Sequence, residues 1–468
     1  MESVYLRMTP SPRIAVVGGG WAGAAAALTL ARAGRAVHVF EANRVPGGRA
    51  RAVSHGGRTF DNGQHLLLGA YSRSLDLIAS VQPVAQAVTR LPLSLHTAGT
   101  GARRLALAAP ALPAPWHLLA AFLSARGLTI ADRLATLRWA DQALRSRHSV
   151  ADDLTVADLL AAQPAAPREM LWEPLCIAAL NTPAECASAS VFVEILRRSF
   201  LGDRADCDLI IPRVDLSQLF PAPALAEVAA RRGRVTLGSV VRGLRAERSP
   251  TGQVRYALDA GENTASFDHV VIATGPQHVA RLLEPLAAES SESNEPGTAL
   301  GAACRQIVTA LQRLAYEAIT TIHFEFLHRG APHGSSAMAL DNAPMLMLDG
   351  HPGQWLFWHR LANGHWGGSV VISAHRRDDE ASALVDVALQ QLRRVWDVPA
   401  PVWQTAVTEK RATYACTPAQ VRVLKQLPAR IGRLHFAGDW TYPLLPATLE
   451  AAVLSGERAA HAILNEQQ

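Results

Sequence analysis

Residues 14–42 read IAVVGGGWAGAAAALTLARAGRAVHVFEA. Four apolar residues run into Gly18, an Ala- and Leu-rich stretch with high helix propensity follows, and Gly34 stands where that helix would be capped. Val37 to Phe40 is a second apolar run, so the pattern is strand, turn, helix, strand, with both strands buried on two faces. The turn carries Gly18-x-Gly20-x-x-Gly23. Gly18 permits the tight bend, Gly20 lets backbone approach a pyrophosphate, and Gly23 lets the helix lie close to the strand. Trp21 and Ala22 open the helix, whose free N–H groups and positive dipole end face an anion. Glu41 and Ala42 end the second strand, Glu41 lying 18 residues beyond Gly23, where a carboxylate accepts both ribose hydroxyls of an adenosine.

The next residues choose the cofactor. Arg44-x-x-Gly47-Gly48-Arg49 adds a glycine pair whose amides meet a further stretch of cofactor, and a guanidinium able to neutralise pyrophosphate. A bare NAD site has no use for this addition, so the cofactor is read as FAD. Near the other end, FAGDW places Gly438 and Asp439 at a strand end, and Thr448 and Leu449 open the last helix. Amides at that helix start would stabilise negative charge on a reduced flavin. FDHVVIATGP (267–276) is a further buried strand ending in a glycine turn. The fold class expected is α/β, a Rossmann-type FAD-binding domain with an inserted α+β substrate domain. The FAD-binding pieces are placed at 12–80, 206–285 and 431–468, with substrate-domain pieces at 81–205 and 286–430.

The insertions differ in character. Residues 80–200 read as helical, with Thr155 and Asp158 as a capping pair. TIHFEFL, MLML and WLFWH within 320–375 read as strands, Asn363-Gly364 as a hairpin turn, and Asp378 to Trp396 as a helix. The Ser- and Glu-rich stretch 289–297 reads as an exposed loop. Leu105 to Leu123 carries no formal charge, but Pro110, Pro113 and Pro115 would break a spanning helix. Two readings of 105–126 stay open: Trp116, Leu118, Leu119, Phe122 and Leu123, followed by Arg126, dip into one leaflet, or they form a buried helix.

Composition removes other classes. The 468 residues are 49% hydrophobic and 18% charged, which excludes a disordered chain or a small disulfide scaffold. A formal charge of +5 invites nucleic acid, but the arginines are scattered and the only lysines are Lys410 and Lys425, so no nucleic-acid partner is expected. The five cysteines are widely spaced without C-x-x-C, which points to core thiols in a reducing compartment rather than disulfides or a metal site. The opening MESVYLRMTPSP has no apolar run of signal type and reads as a short disordered lead. The expected location is cytoplasmic, with a peripheral contact on the inner face of the cytoplasmic membrane.

Taken together, the first-strand fingerprint, the glycine pair with Arg49 and the Gly438-Asp439 turn resemble the amine oxidase/phytoene desaturase superfamily of flavoproteins. Four segments narrow this: FDNGQHLLLGAY (60–71), LWEPLCIAALNTPAECAS (171–188), DLIIPRVDLSQLFPAP (208–223) and EKRATYACTP (409–418). They resemble the squalene-associated FAD-dependent desaturases, the hydroxysqualene dehydroxylases of squalene and hopanoid synthesis. The resemblance implies backbone contact from Val241 to adenine and a triterpene alcohol as substrate. It also implies reductive loss of an allylic hydroxyl, which needs an acid, a dry apolar channel and reduced flavin. Gly63 and Gln64 lie in the turn expected to reach the flavin ring, and Gln64 would orient the hydroxyl. His65 is the leading acid because imidazolium titrates near neutral pH, the competing role being a hydrogen bond to a neighbouring loop. Lys410 is a second candidate, Asp61 is expected to hold backbone amides, and Glu173, Asp208 and Asp215 to pair or cap. With a single dinucleotide fingerprint, the electron donor is either NADPH visiting the flavin or a separate reductase. Competing readings are a carotenoid-type desaturase or isomerase, and a non-catalytic prenyl-lipid carrier, which would not need an intact fingerprint.

Overall fold

A computed structural model describes residues 12–98, 104–145, 150–249, 252–261, 263–288, 297–330, 344–349, 353–375 and 381–466. The opening lead and most of the 289–297 stretch therefore lie outside the described residues. The chain begins with β1 (Ile14–Val17), α1 (Trp21–Arg32) and β2 (Val37–Glu41), followed by a hairpin of β3 (Ala52–His55) and β4 (Arg58–Asp61), then α2 (Ser72–Val81). Next come β5 (Ser94–Ala98), β6 (Ala106–Ala108), α3 (Trp116–Ser124), α4 (Ile130–Arg145) and the short α5 (Val156–Leu160). After further helices run β7 (Arg234–Leu237), β8 (Val241–Arg248) and β9 (His269–Ile272). Four more strands follow, β10 (Tyr316–Phe326), β11 (Met345–Leu348), β12 (Trp355–Arg360) and β13 (Trp366–His375). The last are β14 (Trp403–Tyr414), β15 (Arg430–Ile431), β16 (Leu434–Phe436) and α6 (Leu449–Asn465).

One sheet collects strands from three distant parts of the chain, in the order β7-β2-β1-β9-β16-β15. Its first five strands are parallel, and only the short edge strand β15 is antiparallel. All residues of β1, β9 and β16 are buried, as expected for parallel strands covered on both faces. The strand order reverses at β1, so the crevice beyond the carboxyl ends of β1 and β9 is the place such a sheet offers a ligand. A second sheet of seven strands runs β14-β10-β13-β12-β11-β5-β6. The Asn363-Gly364 turn joins β12 to β13 in antiparallel register, with Gly364 at φ +82°.

The 80–200 region departs from its helical reading. β5 and β6 join the seven-stranded sheet, β5 lying parallel to β11, and Val88–Leu91 pairs with Leu209–Pro212. These runs are three to five residues long, and each buries only one or two side chains, Leu95 and Ala98 in β5 and Leu107 in β6. The segment 235–241 is also not one strand: β7 ends at Leu237, and Val241 opens β8 in a separate three-stranded sheet. Four cysteines are buried as expected, whereas Cys186 is exposed.

Thr155 and Asp158 form the expected capping box at α5, each side chain receiving the other residue's backbone N–H. Thr155→Ala removes one of those acceptors and is expected to lower stability by about 1 kcal/mol in urea unfolding.

Candidate active site

The glycine turn after β1 is shaped by contact. Gly18 has φ +108°, and a Cβ there would meet the Ala273 carbonyl oxygen, just beyond β9, at 2.6 Å. A Cβ on Gly23 would lie 1.9 Å from the Gly18 carbonyl oxygen, so α1 sits against the turn at a distance no side chain allows. The second glycine loop closes on the first: the Gly47 N–H donates to the Gly19 carbonyl at 3.0 Å, and Gly20 and Gly47 form a parallel bridge. Glu41 is buried at the end of β2, where its Oε2 accepts from the Gly19 N–H at 2.5 Å and its Oε1 from the Asn43 N–H at 2.8 Å. The chain leaving β7 folds over this corner, the Gly238 N–H donating to the Asn43 carbonyl and the Ser239 N–H to the Glu41 carbonyl.

Asp439 and Arg49 meet at the opposite end of the cleft. Arg49 donates Nη2 to Asp439 Oδ1 and Nη1 to the Ala412 carbonyl at 2.7 Å. The adjacent carboxylate raises the guanidinium above its ordinary pKa. The sequence reading assigned Arg49 to pyrophosphate, whereas here its charge is met first by Asp439. Tyr316 and Tyr414, on neighbouring strands, lie within electrostatic reach of both groups, and burial pushes both phenols up. Asp439 Oδ2 is buried without a hydrogen-bond partner among the described residues. Thr448 caps α6 by accepting from the Ala451 N–H at 3.1 Å, and Leu449 opens that helix. These observations pass a fit test for FAD. Gly18, Gly23 and Gly47 leave no room for a side chain in the double glycine loop, a buried carboxylate ends β2 beside it, and an orphaned acceptor lies beside the Gly438-Asp439 turn.

The hairpin β3–β4 delivers the second half of the site. Arg58 Nε donates to Glu325 Oε2 on β10 at 2.5 Å, and Phe60 packs on His323 with ring centroids 4.7 Å apart. Glu325 also accepts from Asn363 and lies 2.6 Å from His365 Nδ1, and these partners, Arg58 first, hold its pKa down at about 2. Asp61 Oδ1 accepts from the Leu216 N–H at 2.8 Å, the amide-holding role expected of it, yet burial pushes its carboxyl up to about 7. In the turn that follows, His65 Nδ1 lies 2.8 Å from the Gly63 carbonyl oxygen. A carbonyl only accepts, so Nδ1 carries the proton and Nε2 is the free position. Burial lowers the His65 pKa, and the nearby Arg49 charge lowers it further. Both effects favour the neutral ring, so its titration lies below the ordinary histidine range on which its reading as the acid rests.

Gln64 sits between Gly63 and His65, half-buried, and its side chain has no hydrogen-bond partner among the described residues. Lys410 is placed elsewhere: it is exposed, in the irregular part of β14 where the register against β10 shifts. Its neighbour Glu409, not Lys410, contributes to the field at Arg49. Glu173 pairs with Arg168, Asp208 with Arg90, and Asp215 caps a helix through Gln218. Sequence reasoning missed Thr321, whose buried, unpartnered Oγ1 lies 3.8 Å from the position a Gly63 Cβ would take. It also missed Glu450, buried at the start of α6, which accepts from the Arg73 and Ser74 N–H groups and from the Ser74 hydroxyl. Neither has a local signal, since both join residues hundreds of positions apart or on different sheets.

Comparison with known proteins agrees with this geometry. The family model for flavin-containing amine oxidoreductases matches residues 21–464. The chain is similar to the hydroxysqualene dehydroxylase of Rhodopseudomonas palustris, 31% identical, covering 97% of this chain and 99% of the relative. It is 29% identical to that of Sinorhizobium fredii, over 96% of this chain and 98% of the relative. Among solved structures, a redesigned putrescine oxidase matches with a TM-score of 0.70 at 16% identity, over 97% of this chain and 99% of its own. Reduced UDP-galactopyranose mutase matches at 0.69 and 14%, over 98% of this chain and 95% of its own.

Two expectations follow for this site. Glu41→Ala loses the ribose acceptor and is expected to weaken FAD binding by about tenfold or more, read by flavin fluorescence on titration of apoprotein. Asp61 has a folded pKa of about 7 against an ordinary 3.8, so its contribution to stability is lost as pH rises through that interval. Asp61→Asn is therefore expected to raise the melting temperature at pH 8, with the gain shrinking toward pH 5, and a pH-independent difference would refute the assignment.

Proposed function

The chain belongs to the flavin-containing amine oxidoreductase family and takes FAD as its cofactor; on that premise we propose that it reduces hydroxysqualene to squalene. Two electrons and two protons enter, the allylic C–O bond breaks, a C–H bond forms, and water leaves. The observation that carries the reading is the end-to-end likeness, at 31% identity, to a hydroxysqualene dehydroxylase. The intact Gly18, Gly20, Gly23, Glu41 and Arg49 support an enzyme over a lipid carrier on this fold. FAD, when bound and reduced, supplies the hydride.

The chain's own residues do the rest. The Gly18–Ala22 turn with Gly48 and Glu41 holds the dinucleotide, and Gly438, Asp439, Thr448 and Leu449 frame the flavin end. A continuous apolar core, from Phe122 and Trp172 through Cys416 and Leu445 to Ala451 at the start of α6, keeps water from a departing hydroxyl. His65 takes a proton at Nε2 and passes it to that hydroxyl, its Nδ1–H fixed by Gly63 and its ring in place before substrate enters. A lowered pKa makes the protonated ring a stronger acid but a scarcer one. Gln64 orients the hydroxyl. Electrons come from outside the chain, from NADPH or a reductase, because the sequence holds one dinucleotide fingerprint.

The test is anaerobic incubation of photoreduced enzyme with hydroxysqualene. Flavin reoxidation with squalene formation is expected, and oxidative desaturation of the same lipid by oxidised enzyme instead would place the chain with the carotenoid-type desaturases. His65→Ala is expected to stay yellow and lose turnover. In the parent, kcat/KM is expected to fall as pH rises, with a midpoint below the ordinary histidine value of 6.5.

A further inference from the structure

We propose that the outer face of α3, with the loop before it and the start of α4, docks on an anionic lipid leaflet. The inner face of α3 is committed to the fold: His117, Ala121 and Phe122 are buried, and the Phe122 ring lies 6.4 Å from that of Trp172. This settles part of the earlier alternative, since Phe122 belongs to the core rather than to a lipid-facing stripe. The outer face is different. Trp116 is 58% exposed and Leu123 47%, and with Leu112, Pro113, Leu119 and Ala120 they line a shallow groove of about 350 Å³. Ile130, 73% exposed, and Leu134 extend the apolar surface onto α4. Arg133 fixes the corner between the two helices by donating to the Leu123 and Leu128 carbonyls.

Charge selects the occupant. Between Asp76 and Asp132 the sequence has no acidic residue, while Arg90, Arg103, Arg104 and Arg126 fall within it. Arg126, three residues beyond Leu123, and Arg138, one turn beyond Leu134 on α4, are exposed. The nearby carboxylates are neutralised or engaged: Asp132 accepts from the Thr129 N–H and hydroxyl, and Asp141 pairs with Arg145 at 2.9 Å. An apolar tip with a cationic rim fits a leaflet in which acyl chains receive Trp116 and Leu123 while phosphate headgroups meet the arginines. A second copy of the chain is disfavoured, because a two-fold contact through this face would set Arg126 and Arg138 against their own equivalents. Among the described residues no helix is long and apolar enough to cross a membrane, so the contact is peripheral. A leaflet contact here would serve the uptake of a membrane-dissolved hydrocarbon substrate, since the core that receives Phe122 runs on to Ala451 at the start of α6. That purpose rests on the proposed reaction, but the docking itself does not.

Flotation of the FAD-loaded full chain with phosphatidylcholine vesicles, with and without phosphatidylglycerol, tests the proposal. The parent is expected to float on the anionic vesicles, less on neutral ones, and less at high salt. The double variant Trp116→Ser, Leu123→Ser is expected to lose about tenfold or more in partitioning. Arg126→Glu with Arg138→Glu is expected to remove the preference for anionic lipid. All variants should keep their flavin absorbance and their turnover of detergent-dispersed substrate. A parent that stays at the bottom of the gradient, or a double serine variant that floats like the parent, overturns the docking. So does a parent dimer in sedimentation that the serine variant dissociates. A parent that floats but yields no squalene from detergent overturns the reaction and supports the docking.

Discussion

The whole architecture depends on one close approach of backbone to backbone. α1 can lie against the β1 turn only because positions 18 and 23 lack side chains, the gap being 1.9 Å where a Cβ would stand. The same helix receives α6 from the far end of the chain at a second such point, since a Cβ on Gly456 would fall 2.1 Å from the Ala22 carbonyl oxygen. With both contacts made, a helix start from residue 21 and one from residue 449 are set at one crevice, though more than 400 residues separate them. Any methyl group at these points would push one helix away and open the cofactor cleft.

Around that frame, buried charge is arranged so that each group has a defined partner. Glu450 holds the first turn of α2 with three donors, and the Arg73–Glu457 pair repeats the link two turns further along α6. Glu325 gathers Arg58, Asn363 and His365, tying the β3–β4 hairpin to the seven-stranded sheet. Arg49 and Asp439 join the second glycine loop to the last one. Such pairs add little net stability, because desolvation offsets much of their attraction, but they fix register and position. The exceptions are informative: Asp61, at the end of β4, and His65, four residues later, are pushed by burial in the directions that favour their neutral forms.

Much of the site was legible locally. Residues 14–42 have the strand, turn and helix they imply, Glu41 closes β2, and Thr155 with Asp158 cap as read. Asp208, Asp215 and Glu173 pair or cap as their surroundings indicated. The reading failed where pairing was non-local. β5 and β6 were hidden inside a stretch whose composition looks helical, because a strand of three to five residues declares itself only when a neighbour is present. The direction in which the His65 pKa moves follows from burial and from Arg49, neither visible in the turn's own sequence.

The sequence by itself determined the cofactor class, the βαβ start and the family, because these rest on glycine, carboxylate and arginine spacings within a few dozen residues. Only the tertiary structure decided that the Arg49 charge is met by Asp439, that burial raises the Asp61 pKa and lowers that of His65, and that Phe122 faces inward while Trp116 faces out. Spacing along a chain fixes what backbone can do locally, whereas solvation and pairing depend on which distant segments exclude water from a side chain.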